Sequence, residues 1–442
     1  MSLNLYKSRS MEGSAKAALL LGTIAGALLF AGTGATRADE HMVLVDKIVV
    51  PQGTLPESTC VPGTGLGAFD ISFADPKTDL YVLSDRTNGS VDFFDASDDT
   101  YIGRVGGFQG VKCTTPTPPA APAANNAISG PDGVVIVDGS TVWAGDGDST
   151  LKVIDIKTFN LTDTITVTDP TDPSVKMRVD EMAYDSRDHI LAAANNANTP
   201  PFITMVDTNT HKILGQIVFD TAHAGVDATN GIEQSQWSPQ TGLFYVSIPQ
   251  LGPESAQGAV AVIDPSSMKV IAVYPVQNCS PAGLALGPRH EALIGCSASF
   301  TVPPSTVATT QSIIINLDTG DVLANITQAG GNDEVWFDPG TQHYYLAARG
   351  TVDSSTGKVT PILGTVDANT FMFDGGVATS TTAHSVAADK FSHHVFVPIG
   401  FVPTGSPAGT DPTNPCPMNG CIAVYLPSSI DDDDLGARLA KR

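Results

Sequence analysis

The chain repeats itself about every fifty residues, and that period limits the folds open to it more than any other feature. An apolar run closed by Asp or Asn recurs as Phe93-Phe94-Asp95, Val153-Ile154-Asp155, Met205-Val206-Asp207, Val262-Ile263-Asp264, Ile314-Ile315-Asn316 and Thr365-Val366-Asp367, at spacings of 60, 52, 57, 52 and 51. A turn and a β-rich run follow each one, as in Asp207 to Val218. Two shorter alternating runs precede it, as in Glu181 to Asp185 and His189 to Ala194. Four short strands per unit make one propeller blade. A seventh unit has runs at His384–Asp389, His394–Pro398 and Cys421–Tyr425 but lacks a fourth strand, whereas Val43–Val50 is a strand without a blade. Pairing the two removes two exposed sheet edges at once. The expected architecture is therefore all-β: a seven-bladed β-propeller of four-stranded blades, closed by the N-terminal strand pairing into the last blade. With 42 Gly, 31 Pro and no long helix-period stretch, a helical bundle is excluded.

The stretches Ile263-Asp264-Pro-Ser-Ser-Met-Lys-Val-Ile-Ala-Val and Val366-Asp367-Ala-Asn-Thr are near matches to the core of the YVTN-type repeat. Over its mature length the chain resembles the exported, YncE-like seven-bladed propellers. That resemblance implies the blade but no single chemistry, because similar propellers include lactonases, lyases, electron-transfer domains and proteins without assigned activity.

At the ends, Lys7, Arg9 and Lys16 precede an apolar run from Ala17 to about Ala31, and Ala35-Thr-Arg-Ala38 offers small residues for cleavage. Residues 1–38 thus read as a secretory signal, cut near Ala38–Asp39, with an uncleaved anchor as the alternative. Residues 39–428 form the propeller and 429–442 an acidic, then basic, solvated tail. No later run is long enough to cross a bilayer. The expected location is periplasmic or secreted, with no membrane insertion after cleavage. Six cysteines suit that compartment. Cys416 and Cys421 enclose a short loop, Cys279 and Cys296 flank one strand-turn-strand stretch, and Cys60 is left with Cys113. A formal charge of −23 argues against nucleic acid as a partner. A small-molecule ligand or substrate is expected, and a monomer, since propellers close their own edges.

Register locates the chemistry. Aligning the first strands on their closing Asp, Ser or Gly places Asp70, Gly133, Asp180, Glu233, Ala282, Asp333 and His384 in one column at one mouth of the channel, with Asp132, Glu181, Gln234, Glu334 and Ser385 beside it. The second strands end on the same face at Asp85, Asp146, Asn195, Ile248, Ser297, Arg349 and Ile399, with Arg86, Asp148 and Asn196 next to them. So many carboxylates repel unless something compensates. They bind a cation, are neutralised by Arg86 and Arg349, or simply cap backbone amides. For the first reading the expected ligands are Asp70, Asp180, Glu233, Asp333, His384 and Asn195. The expected ion is Ca²⁺, with Zn, Mn or Fe as alternatives. Glu181, Glu233 or Glu334 would then be general base and His384 acid or ligand, with Arg349 as a further catalytic candidate. In outline this is similar to the Ca²⁺-dependent propeller lactonases, with Asn195 and Asn196 as the matching amides, so a metal-dependent hydrolase or lyase acting on a small oxygenated molecule is one expectation. A non-catalytic propeller binding a ligand, metal or protein partner is the other.

Elsewhere, Gly145–Ser149 reads as a tight turn, His189 and His343 as matching exposed turn residues, and His393-His394 as surface. There is no Gly-x-Ser-x-Gly, no Cys-x-x-Cys-His and no phosphate-binding glycine loop, which argues against a serine hydrolase, a covalent haem protein and a nucleotide enzyme. The Pro/Ala-rich insert from Thr114 to Ala127 and the excursions 222–230, 252–258, 301–310 and 403–419 are expected to roof the channel.

Overall fold

The computed structural model describes residues 41–430 apart from 56–57, 59, 62–64, 116–121, 255, 302–303, 402–412, 417 and 429. The expected leader, most of the tail and parts of four of the expected roofing segments lie outside the described residues.

Seven four-stranded antiparallel sheets make the ring. The first blade comprises Ser72–Asp75, Leu80–Asp85, Ser90–Asp95 and Thr100–Gly106. Later blades begin at Val134, Met182, Ser235, Pro281, Val335 and Ala387. The recurring Asp has a local cause. In each full blade it ends the third strand and its side chain folds over the following turn. Asp95 Oδ1 accepts from the amides of Ser97 and Asp98, both at 2.9 Å. Asp207 does the same for Asn209 and Thr210, and Asn316 for Asp318 and Thr319. Only a short side chain with a carbonyl-like oxygen makes this Asx turn, so Asp or Asn returns at every repeat.

The closing strand, Met42–Ile48, pairs antiparallel with Cys421–Pro427 and becomes the outer strand of the seventh blade. Every outer strand carries a β-bulge against its neighbour, at Val45, Ile102, Thr162, Leu214, Ile271, Leu323 and Asp374. The extra residue increases the local twist that a propeller blade needs. Apolar clusters fill the spaces between blades. One joins Met205 and Phe219 of the third blade to Phe244 and Ile263 of the fourth, and Tyr81 of the first stacks on Phe396 of the seventh at 4.7 Å.

All six cysteines pair, as Cys60–Cys113, Cys279–Cys296 and Cys416–Cys421, which suits a non-reducing, extracellular environment. Among the described residues no helix is long and apolar enough to cross a membrane.

Removing residues 41–50 leaves Cys421–Pro427 with an open edge and takes the buried side chains of Met42, Ile48 and Val50 from the core. At about 1.5–3 kcal/mol for each large apolar side chain, the expected result is a melting temperature many degrees lower in calorimetry. An unchanged transition would contradict the closure.

Candidate functional site

One mouth of the channel holds a cavity of about 270 Å³ lined by Phe69, Asp70, Arg86, Asn126, Arg178, Asp180, Glu181, Glu233, Asp333, Arg349 and His384. Backbone pairing explains how these side chains arrive there. The amides of Asp70, Asp132, Asp180 and Glu233 donate to the carbonyls of Ser84, Gly145, Ala194 and Ser247, the last but one residue of each second strand. Asp132, not Gly133, is therefore the column residue of the second blade. The register expected from sequence slips there because that blade joins its first two strands by a three-residue turn, Asp138–Ser140, one shorter than in the first and third blades, with Asp138 and Gly139 at φ 53° and 65°. Gly133 is required by a close approach instead, since a Cβ there would lie 1.9 Å from the carbonyl oxygen of Asp180.

A second regularity follows. Sixteen residues after the column acid, the chain leaves the second strand and turns a polar side chain back towards it. Arg86 pairs in this way with Asp70, Asn196 donates to Asp180 at 2.7 Å, and Arg349 pairs with Asp333 at 2.9 Å. Arg349 is thus the counterpart of Arg86. The residues expected to share its column turn the other way, into the blades. Asp85 accepts from the amide of Asn88 at 3.0 Å, Asp146 pairs with Lys152 at 2.6 Å, and Asn195 accepts from the Thr204 hydroxyl at 3.0 Å. Asn195 is consequently no ligand at the mouth.

Sequence reasoning missed Arg178, which lies outside the repeat frame in the excursion before the third blade. Its guanidinium reaches Asp180 at 2.9 Å, Asp70 at 3.5 Å and Asp132 at 3.9 Å, and donates to Asn196 at 3.0 Å. Arg86 binds Asp132 through Nε at 2.7 Å as well as Asp70. Two guanidinium groups, Arg86 buried and Arg178 partly exposed, thereby compensate three aspartates from three blades. The Pro/Ala-rich insert contributes Asn126 to the cavity and, through the Ala127 carbonyl, accepts from the Arg178 amide at 2.8 Å.

His384 stacks on Phe69 with centroids 4.4 Å apart. Its Nδ1 faces the Thr382 carbonyl at 2.9 Å and its Nε2 the Phe69 carbonyl at 3.2 Å. Both ring nitrogens thus face backbone carbonyl oxygens, which only accept, and neither is turned towards a carboxylate cluster. With His384 turned to carbonyls, three aspartates held by arginines and Asn195 in a blade, the ligand set expected for a divalent ion does not fit this mouth. Glu334 lies deeper, where its carboxyl accepts from the Ser385 hydroxyl, and it does not line the cavity.

Two carboxyls stand apart. Glu233 has Pro249 sixteen residues on, so its blade supplies no polar partner. Burial, then the neighbouring Asp180 charge, pushes its carboxyl well above the usual range. Glu181 is raised by burial and then by Glu334, and Asp180 is pushed up to about 6 by burial against the pull of Arg178. Asp70 moves the other way: burial raises it, but Arg86, His384 and Arg178 together hold it below the usual range.

Three histidine expectations are corrected. His343 and His189 do not match. His189 shares the left-handed turn position with Gln342, at φ 57° and 61°, while His343 starts the next strand and is fully buried. His393 and His394 are buried too, beside Asp338 at 3.3 Å and Asp99 at 2.9 Å. His343, Asp367 and Asp374 bring three potential ligand atoms within 4.8 Å of one another, a cluster that no spacing in the sequence announces.

The fold and site together define a seven-bladed β-propeller with an arginine–carboxylate cavity at one mouth. Among solved structures it is similar to the hydrazine synthase of Kuenenia stuttgartiensis, at 15% identity and a TM-score of 0.58 over 78% of this chain and 95% of that one. At that identity the likeness concerns the fold alone. No protein-family model matches the chain, and no curated protein sequence does.

Carboxyls whose folded pKa is raised stabilise the fold at low pH, and that contribution is lost as pH rises from the unfolded value through the folded one. Asp180 should therefore make unfolding free energy fall between about pH 4 and 6, and Glu181 and Glu233 should add to the fall above their unfolded values. The Glu181→Gln/Glu233→Gln variant should flatten this slope in denaturant titrations. A wild-type curve that is level or rising over the window would show that these groups are not held neutral.

Proposed function

We propose that the protein is an exported, YncE-like propeller that binds a small oxygenated molecule in the mouth cavity. One observation carries this reading: five of the seven column positions line a cavity in which three arginines compensate the aspartates and leave Glu233 and Glu181 without an arginine of their own. A carboxyl kept neutral donates a hydrogen bond as well as accepting one, so beside guanidinium groups it suits hydroxyl, carbonyl and carboxylate oxygens. At about 270 Å³ the cavity falls below the ~300–1,000 Å³ of drug-sized sites, which favours a compact ligand such as a hydroxy acid, a lactone or a monosaccharide. The basic and apolar segment 1–38 supports export, in line with the three disulfides.

A second reading rests on Glu233 itself. A raised carboxyl beside guanidinium groups is equipped for acid–base work. Glu233 would give a proton to a leaving oxygen, and Arg349, the most exposed of the three guanidinium groups at 39%, would stabilise the developing negative charge. This retains the hydrolase or lyase expectation without routing it through a metal at the mouth.

Calorimetric titration with small hydroxy acids, sugar lactones and monosaccharides tests both. Binding by at least one class is expected, weakened about tenfold or more in Arg349→Gln, whose half-exposed pair with Asp333 adds little to stability. Turnover of a bound lactone, abolished in Glu233→Gln, would select the enzyme. Binding without turnover would select the receptor. Silence across the panel would overturn the reading.

A further inference from the structure

We propose that the sixth blade carries a divalent transition-metal site made by His343, Asp367 and Asp374, none of which lines the mouth cavity. His343 opens the second strand of its blade and pairs with Asp367 at the end of the third, so the two side chains share one face. In the other blades the His343 position holds Leu80, Thr141, Ile190, Leu243, Glu291 or Val395. Asp374 comes from the fourth strand, at the bulge. Elsewhere that bulge residue points out to solvent, as with Ile102, Leu214, Ile271 and Leu323 at 44–55% exposure. Here it turns inward, its side chain is 17% exposed, and its Oδ2 lies 3.1 Å from His343 Nε2. The bulge re-aims one side chain per blade, and only the sixth blade uses it to bring a carboxylate in.

The hydrogen bonding of the ring sets the chemistry. His343 Nδ1 lies 2.9 Å from the Thr341 carbonyl, which only accepts, so Nδ1 carries the hydrogen. A neutral imidazole so fixed turns its Nε2 lone pair towards two carboxylates, an arrangement that calls for a positive species between them. A proton is one answer and a metal the other, and Nδ1–H on a backbone carbonyl is the usual support of a metal-ligating histidine. Asp367 caps the Asn369 and Thr370 amides through Oδ1, which fixes its carboxylate at the end of the strand opposite His343.

A second, independent feature favours the metal. Thr365 is fully buried, lies two residues before Asp367 on the same face, and stands opposite the Asp374 bulge. Its hydroxyl has no hydrogen-bond partner among the described residues. A proton between ring and carboxylate leaves that hydroxyl unsatisfied, whereas a hydrated ion brings a water for it to bind. One imidazole, two carboxylates and a water suit Zn²⁺, with Mn²⁺ or Fe²⁺ as related ions. Two negative charges match the ion, and if the ring is doubly protonated beforehand, binding releases the Nε2 proton to solvent.

The test uses the full protein purified without a histidine tag, stripped with chelator and titrated with Zn²⁺ at neutral pH. One equivalent is expected to bind, with affinity lowered at least tenfold in Asp374→Asn and unchanged in Glu233→Gln. X-ray absorption at the zinc edge of the loaded wild type should show one imidazole among oxygen ligands at about 2.0–2.1 Å. No retained zinc, equal binding by the wild type and Asp374→Asn, or a spectrum without imidazole scattering would each overturn the site. The spectrum decides the matter should Asp374→Asn fail to fold.

Discussion

The ring depends on one antiparallel pairing. Six blades are each complete within a continuous stretch of chain, and the seventh exists only because Met42–Ile48 lies against Cys421–Pro427. Without that pairing the sheet of the last blade ends in an open edge, and the interfaces on either side of it lose their outer wall. The convergence of seven inner strands on one channel, and hence of their terminal side chains on one mouth, follows from closure. The site is a property of the ring and not of any blade.

What closure brings together it must also make tolerable. Aspartates from neighbouring blades cannot share a buried mouth as bare charges, since burying unpaired ions costs several kcal/mol each. The chain answers within the repeat, with a polar partner sixteen residues after the acid in three blades, and outside it, with Arg178 spanning the aspartates of the first three. Glu233 is left out of both arrangements, and its raised pKa expresses that omission.

The fold was legible because its signals are local and repeated. The Asp of each triplet marks an Asx turn that any reader of turn chemistry can find, and the disulfide pairs follow from spacing and compartment. The site was legible only to within one residue. Strands alternate faces, so a slip of one position exchanges channel for blade interior. The shortened turn at Asp138 caused such a slip, and slips of the same size placed Arg349 with Asp85 and His343 with His189. Arg178 was hidden for another reason: it stands in an excursion with no counterpart in other blades, so no column contains it. The inward turn of Asp374 depends on a bulge, and a bulge has no compositional mark here, because Ile, Leu, Val and Thr occupy the same place in other blades.

The closing strand also has a consequence for the order of assembly. The amide of His41 reaches the hydroxyl of Ser428 across 387 positions of sequence, while most other strand pairs are neighbours along the chain. Contacts of that span carry the largest loop-closure entropy and form late. Blades one to six can therefore stack progressively as an open arc, whereas the ring locks in a single terminal event. Until then the channel has no complete wall, and the polar groups of its mouth stay in contact with water.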